Sequence, residues 1–467
     1  MRTFEQFLVY GEVLAIAWPA IFGVRTRRGI VAGLLVALFV LHWQLEGLRW
    51  QMIPIYGAAL GLTIGDLLIY ERSLDWTRRV ARGVFGLTGL AVAMVLPIVL
   101  PVPDLPLPTG PSSVGTFTTE IVDIDRDEIY GSVPGSPRRF NVQVWYPADV
   151  PDGSEPGPWA NDWAEVGPEV SSLIGFPSWF LNHARYSESH TYPGADPVDG
   201  SFPVVIYSHG WTGFRSNAVN QIENLVSNGY VVIAPDHTYG AVATVFEDGE
   251  VVTYDANALP DPEEVTEDAY ASAADQLVGV YAADLSAILD ELEEGAGGRL
   301  AEVASIVDTT RVGLFGHSAG GGAAIRTCLE DERCDAVLGL DPWVEPLPDE
   351  TLAITPTRPA MYMRSEEWIG TENDALLRGL AGRSEAVSYW IGIEGAWHND
   401  FNLMTLMSPY AARFGLKGPI PAGRVIPIVD RYLVGFFDTF LLGTGSAAID
   451  ATGFEEVALE IIRPDTS

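Results

Sequence analysis

Residues 312–327 read VGLFGHSAGGGAAIRT, and within them Gly316-His317-Ser318-Ala319-Gly320 has the spacing of a strand-to-helix elbow that carries a nucleophile. Glycines two before and two after the serine let the chain turn sharply enough to lift a hydroxyl clear of a sheet. The pattern alone is weak, because three fixed letters recur by chance and a tight turn after a strand uses the same glycines. Its flanks add weight: the apolar run Arg311–Phe315 precedes it and the small-residue stretch Ala319–Leu329 follows, matching the strand and helix such an elbow joins.

A serine hydroxyl is a poor nucleophile at neutral pH and needs a base. The chain has seven histidines: His42, His183, His190, His209, His237, His317 and His398. Elbow hydrolases run serine, acid, histidine along the chain, and only His398, in EGAWHNDFN, follows Ser318. His317 is expected to point away from the reacting serine. His183 and His190 read as ordinary polar residues, and His237 is open between that role and the site.

The imidazole in turn needs a carboxylate to orient it. Asp341 closes the run DAVLGLD, while Glu366, Glu367 and Asp374 in RSEEWIGTENDALL are the alternatives from the next segment. Asp341 is preferred because it ends an apolar strand directly, although an aspartate before Pro342 also suits a plain turn. Donors for a developing oxyanion are the amide after the nucleophile, Ala319, and one from an earlier strand end, where Ser208-His209-Gly210 presents the amide of Trp211. Trp211, Phe214, Trp343 and Trp397 are candidate apolar walls for an acyl group.

These residues need a scaffold, and the chain supplies its pattern. RFNVQVWYP, PVVIYSHG, YVVIAPDH, RVGLFGHS, DAVLGLDPW, PAMYMRS and VSYWIGI read as strands, with helices over Asn217–Val226, Ala271–Leu292 and Ala319–Leu329. Continuous apolar strands between helices predict a mostly parallel sheet covered on both faces, an α/β domain. PDPEEVTEDAY reads as a solvated acidic loop.

Upstream lie four apolar stretches: Phe7–Gly23, Gly29–Leu45, Met52–Tyr70 and Gly83–Val102. The last has no charge over a length that can cross a bilayer, and four transmembrane helices are expected in all. Glu12 and Asp66, inside the first and third, must face other helices. Arg25, Arg27 and Arg28 follow the first stretch, and Arg72, Arg78, Arg79 and Arg82 precede the fourth. Positive loops stay cytoplasmic, so the remainder is expected outside the cell in a multi-pass membrane protein. A cleaved signal peptide fits these spans poorly. The expected division is a membrane region over 1–103, a Pro/Gly-rich linker over 104–114 and a catalytic domain over 115–467.

Charge sharpens the contrast. Nine of the 27 basic residues and six of the 62 acidic ones precede Asp104, leaving 18 against 56 and a net charge of −38 in the remainder. Such a domain repels phosphate backbones, which excludes nucleic acid as a partner. Lys417 is the one lysine, and an acidic, lysine-poor surface predicts a halophilic source. Cys328 and Cys334, six residues apart, form neither a redox Cys-x-x-Cys pair nor a zinc pattern. A disulfide is the expectation for an outward-facing domain, with two free thiols the other reading. No metal or other cofactor is expected.

GPSSVG, YSHGWTGFRS, GHSAGG, LDPW and AWHNDF, in that order, resemble the plasma-type platelet-activating-factor acetylhydrolases, also called lipoprotein-associated phospholipases. The likeness spans roughly Gly110 to Phe440. It implies an α/β-hydrolase fold, Ser318, Asp341 and His398 as the triad, Trp211 and Ala319 as oxyanion amides, and calcium-independent hydrolysis of lipid or small-molecule esters with short acyl groups. The membrane region and the segment Trp159–Tyr192 depart from the family. Polyester or cutinase-like hydrolysis, a dienelactone-type reaction and a catalytically silent sensor or binding module are the alternatives.

Overall fold

The computed structural model describes residues 1–23, 29–68, 75–294, 297–445, 449–450 and 453–464. Arg25, Arg27, Arg28 and Arg72, used above for membrane orientation, lie outside the described residues. The chain divides into two compact units. One gathers Met1–Asp104 with Asn182–Ser187 and Met407–Tyr410, and the other holds Leu105–Leu181, Glu188–Leu406 and Ala411–Ser467.

The first unit is helical, with helices Thr3–Phe22, Ile30–Glu46, Ile53–Leu68 and Trp76–Ala93. Four spans were expected, but among the described residues two helical segments are long and apolar enough to cross a membrane, Trp50–Leu68 and Trp76–Val99. Ile30–Glu46 is apolar but has only 17 residues. At 1.5 Å per residue that is about 26 Å, short of a hydrocarbon core of about 30 Å. Thr3–Phe22 has the length but carries Glu5 and Glu12, both buried among the helices of this unit.

The second unit is built on strands β1 (Ser113–Asp127), β2 (Pro137–Asp149), β3 (Thr191–Pro193), β4 (Asp196–Pro197), β5 (Phe202–Ser208), β6 (Val231–Asp236), β7 (Ala243–Val245), β8 (Val251–Thr253), β9 (Val307–His317), β10 (Ala336–Leu340), β11 (Ala360–Arg364), β12 (Ser388–Ile393) and β13 (Val457–Ile462). The main sheet runs β13-β12-β11-β10-β9-β5-β6-β2-β1-β3, with β4 on β2, while β7 and β8 pair by themselves. From β6 through β5, β9, β10 and β11 to β12 every neighbour is parallel. β2 and β13 join antiparallel.

Side chains alternate across a strand, so the unbroken apolar runs must be buried on both faces. Val204, Ile206, Val312, Leu314 and Val337 pack on one face with the helices Glu267–Glu294, Ala319–Glu330 and Glu372–Gly382. Val205, Tyr207, Phe315, Leu338 and Leu340 pack on the other with Val219–Ser227 and Ala422–Phe440. The parallel order aligns the C-terminal ends of β5, β9, β10 and β12, so Trp211, Ser318, Asp341 and His398 all emerge at one edge of the sheet.

The acidic stretch PDPEEVTEDAY is not wholly a loop. Its second half opens the helix Glu267–Glu294, where the Thr266 hydroxyl accepts from Ala269 N at 3.3 Å and Glu267 and Asp268 occupy the first turn. A hydroxyl cap and carboxylates at a helix N-terminus satisfy free N–H groups and complement the dipole.

Candidate active site

Ser318 sits between β9 and the helix Ala319–Glu330 with φ 57° and ψ −125°. A side chain at positive φ is strained, and the surroundings hold it there. Ser318 N donates to Leu340 O at 3.1 Å, and Trp343 N donates to Ser318 O at 2.9 Å, which pins the elbow to the end of β10. A Cβ on Gly320 would lie 2.2 Å from Ser208 O, and one on Gly316 would lie 2.3 Å from Gly320 O. Both elbow glycines are therefore fixed by close backbone approach.

Among the described residues four non-glycine positions have positive φ: Thr212, Tyr239, Ser318 and Asp341. Ser318 and Asp341 end adjacent strands, Thr212 follows Trp211, and Thr212 N donates to Gly240 O, next to Tyr239. Strain of this kind collects at functional sites, and here the four positions lie in a few linked turns.

Asp341 is buried and accepts three hydrogen bonds: from Ser365 N at 2.8 Å, from Ser365 Oγ at 2.7 Å and from His398 Nδ1 at 2.8 Å. Because Nδ1 donates, Nε2 of a neutral His398 ring is left with its lone pair, the tautomer a general base requires. Of the alternative acids, Glu367 accepts from the backbone N of His398 at 2.6 Å, and Asp374 pairs with Arg364 at 2.5 Å. Glu366 is exposed and its backbone N donates to Ala396 O. The imidazole donates this hydrogen bond to Asp341 and to none of these three.

The loop carrying His398 is clamped by Asp400 and Lys417, which no motif in the sequence marks. Asp400 accepts from Trp397 N at 2.9 Å and Gly418 N at 2.7 Å and pairs with Lys417 at 2.7 Å. The one lysine, noted above only for its rarity, is buried and also donates to Gly418 O and Ile420 O. His317 is buried with its ring 4.4 Å from that of His398, and its Nε2 donates to His398 O at 3.0 Å. It thereby supports the loop that carries His398. Trp368 stacks on the His398 ring at 5.0 Å with planes 3° apart. Its place in the polar stretch after β11 gave no sign of this.

Trp211 N and Ala319 N donate to no group of the protein among the described residues. They belong to adjoining turns, since a Cβ on Gly210 would lie 2.9 Å from Ser318 Cβ. Trp211, Trp343 and Trp397 are partly exposed, whereas Phe214 is buried among Trp159 and Trp163, with centroids 6.2 and 6.1 Å away. Phe214 thus anchors the divergent aromatic segment. His190 bonds Glu223 at 3.0 Å, and His237 is fully buried behind the Trp211 turn. Cys328 and Cys334 are joined as a disulfide, with Cα atoms 5.1 Å apart, just before β10.

Burial holds three imidazoles neutral: His209 is pushed down to about 3, and His237 and His317 also lie below the ordinary histidine range. In the unfolded chain each ring takes up a proton near pH 6.5. The unfolded state then binds more protons than the folded one, so stability is fully present above that pH and falls below it. His209 alone is expected to contribute a loss of about 2 kcal/mol by pH 5. Because burial raises Asp430 to about 7, a contribution of opposite sign, the test isolates His209: replacing it with glutamine should raise the Tm at pH 5 relative to that at pH 7.5, compared with the unsubstituted protein, and an unchanged difference would contradict neutral burial.

A twisted, mostly parallel sheet with helices on both faces and a serine elbow after the central strand β9 defines an α/β hydrolase. The family described as platelet-activating factor acetylhydrolase, isoform II, matches residues 142–442, and the chain belongs to that family. Among similar proteins are the platelet-activating factor acetylhydrolase of Cavia porcellus, 22% identical over 258 residues, 51% of this chain and 58% of the relative, and that of Gallus gallus, 28% identical over 137 residues, 29% and 32% respectively. The match thus spans little more than half the length of the longer-matching relative. A solved structure of a ferulic acid esterase from Streptomyces cinnamoneus shares the fold, with a TM-score of 0.62 and 24% identity over 77% of this chain and 99% of that one.

Proposed function

We propose that the chain is a membrane-tethered serine esterase that cleaves carboxylic esters with short acyl groups through an acyl-enzyme. The reading is carried by one observation, the His398 Nδ1 to Asp341 hydrogen bond, with Asp341 at the end of the strand next to the one that leads into Ser318 at φ 57°. His398 Nε2 takes the Ser318 proton as Oγ attacks the ester carbonyl. The tetrahedral oxyanion accepts from the amides of Trp211 and Ala319. His398 then gives the proton to the departing alcohol, and water, activated by the same ring, releases the acid and restores Ser318.

Short acyl groups follow from the family, and Trp211, Trp343 and Trp397 are the walls that would meet them. Initial rates on p-nitrophenyl esters of two to twelve carbons test this: kcat/KM should be greatest at two to four carbons. A maximum at eight or more would replace the short-acyl reading with a lipase- or polyester-type one, and no turnover at any length would favour a silent module.

Tethering rests on the two long apolar helices, and an outward catalytic unit rests on arginines flanking the apolar stretches, Arg78, Arg79 and Arg82 among them. The disulfide suits an oxidising exterior. Protease added to intact cells should therefore degrade or release the catalytic unit, and protection until lysis would overturn this orientation.

A further inference from the structure

Behind the Trp211 turn lies a second serine, histidine and aspartate, all three fully buried. Ser208 Oγ lies 2.8 Å from His237 Nε2, and His237 Nδ1 lies 2.9 Å from Asp284 Oδ2. Asp284 is held as a carboxylate, its pKa lowered although burial alone would raise it, because Arg138 at 2.7 Å and Arg126 at 2.5 Å pair with it. A carboxylate only accepts, so His237 Nδ1 donates to Asp284, Nε2 accepts, and the Ser208 hydroxyl donates to Nε2. Atom for atom this is the pattern of a catalytic relay, but it is sealed from any substrate. The His237 ring stacks on Tyr281 at 3.8 Å with planes 13° apart.

This relay is wired to the oxyanion turn at both ends. Ser208 is the last residue of β5, three positions before Trp211. His237 N donates to His209 Nε2 at 3.1 Å, which leaves the His209 proton on Nδ1, facing Gly210 O at 2.8 Å. Thr212 N donates to Gly240 O at 2.9 Å and Val242 N to Gly213 O at 2.8 Å, so the turn after His237 grips the turn around Trp211. Arg138 closes the frame by donating to Thr238 O at 3.0 Å and pairing with Glu128 at 2.6 Å.

We infer that Ser208, His237 and Asp284 are positioning residues that fix the Trp211 amide where the oxyanion forms. The inference rests on the serine-esterase reading above. An amide that meets charge only in the transition state affects kcat and leaves substrate binding nearly unchanged. Losing one oxyanion donor outright costs about 10²–10³-fold. Displacing it should cost about tenfold or more.

The test is steady-state hydrolysis of p-nitrophenyl acetate by the full-length protein and by Ser208→Ala and His237→Gln, with hydrogen exchange of the peptide covering 208–213. Ser208→Ala removes one buried donor and keeps the strand, and His237→Gln keeps a polar group in the relay should the first variant unfold. The expected result is a kcat at least tenfold lower with KM within about twofold, a matching fall in the rate of fluorophosphonate labelling, and faster exchange across 208–213. A folded variant with wild-type kcat, or one whose loss lies in KM, would overturn the positioning role. Failure of the wild-type protein to hydrolyse any ester would instead remove the esterase reading, and the exchange data would still report on the turn.

Discussion

Replacing Ser318 with alanine is expected to lower ester hydrolysis by about 10³-fold or more, the scale seen when a nucleophile is removed from a group that acts as a unit. The elbow should survive the change. Ser318 is held by backbone bonds to Leu340 and Trp343, and the flanking glycines, not the hydroxyl, permit the close approach of the helix to β5. Unchanged melting with activity lost is the expected pair of results. Retention of most activity would take Ser318 out of the reaction.

Asp341→Asn carries the second large effect, roughly 10⁴-fold on the serine-protease precedent. An asparagine presents an amide where His398 Nδ1 now donates, and the ring can satisfy it by moving its proton to Nε2, which removes the lone pair that must accept from Ser318. The Ser365 bonds would hold the substituted side chain in place, so the loss belongs to the tautomer and not to a collapsed site. Glu366→Gln and Asp374→Asn should be nearly neutral, since neither accepts from the ring. Glu367→Gln keeps an oxygen for His398 N and should also stay close to wild type. Equal losses at Asp341 and Glu367 would redirect attention to the backbone of the histidine loop.

Much of this site was legible because chemistry at an elbow is tied to local sequence. Gly316 and Gly320 announce the turn, chain order singles out His398, and the apolar strands with their β-branched residues are visible as continuous runs. What escaped was held by long-range contact. β1 is rich in Thr, Glu and Asp and pairs along a margin of the sheet, and β13 follows far from its partner β12, so neither stood out. Lys417 and Asp400, 17 positions apart, meet only after the loop folds back. Trp368 reaches His398 from the next strand end, and Ser208, His237 and Asp284 come from three separate elements. Hydropathy overstated the membrane region because the second apolar stretch folds as a helix of 17 residues and the helix over the first carries two buried acids, Glu5 and Glu12.

The most direct measurement is mass spectrometric mapping of a fluorophosphonate adduct on the full-length protein. The probe phosphonylates a serine only where a base removes its proton and amides receive the oxyanion. A single adduct is expected on the peptide containing Ser318, abolished in Ser318→Ala and strongly slowed in Asp341→Asn. Absence of an adduct, or an adduct on another serine that persists in Ser318→Ala, would contradict the assignment of Ser318, His398 and Asp341 as the reacting group.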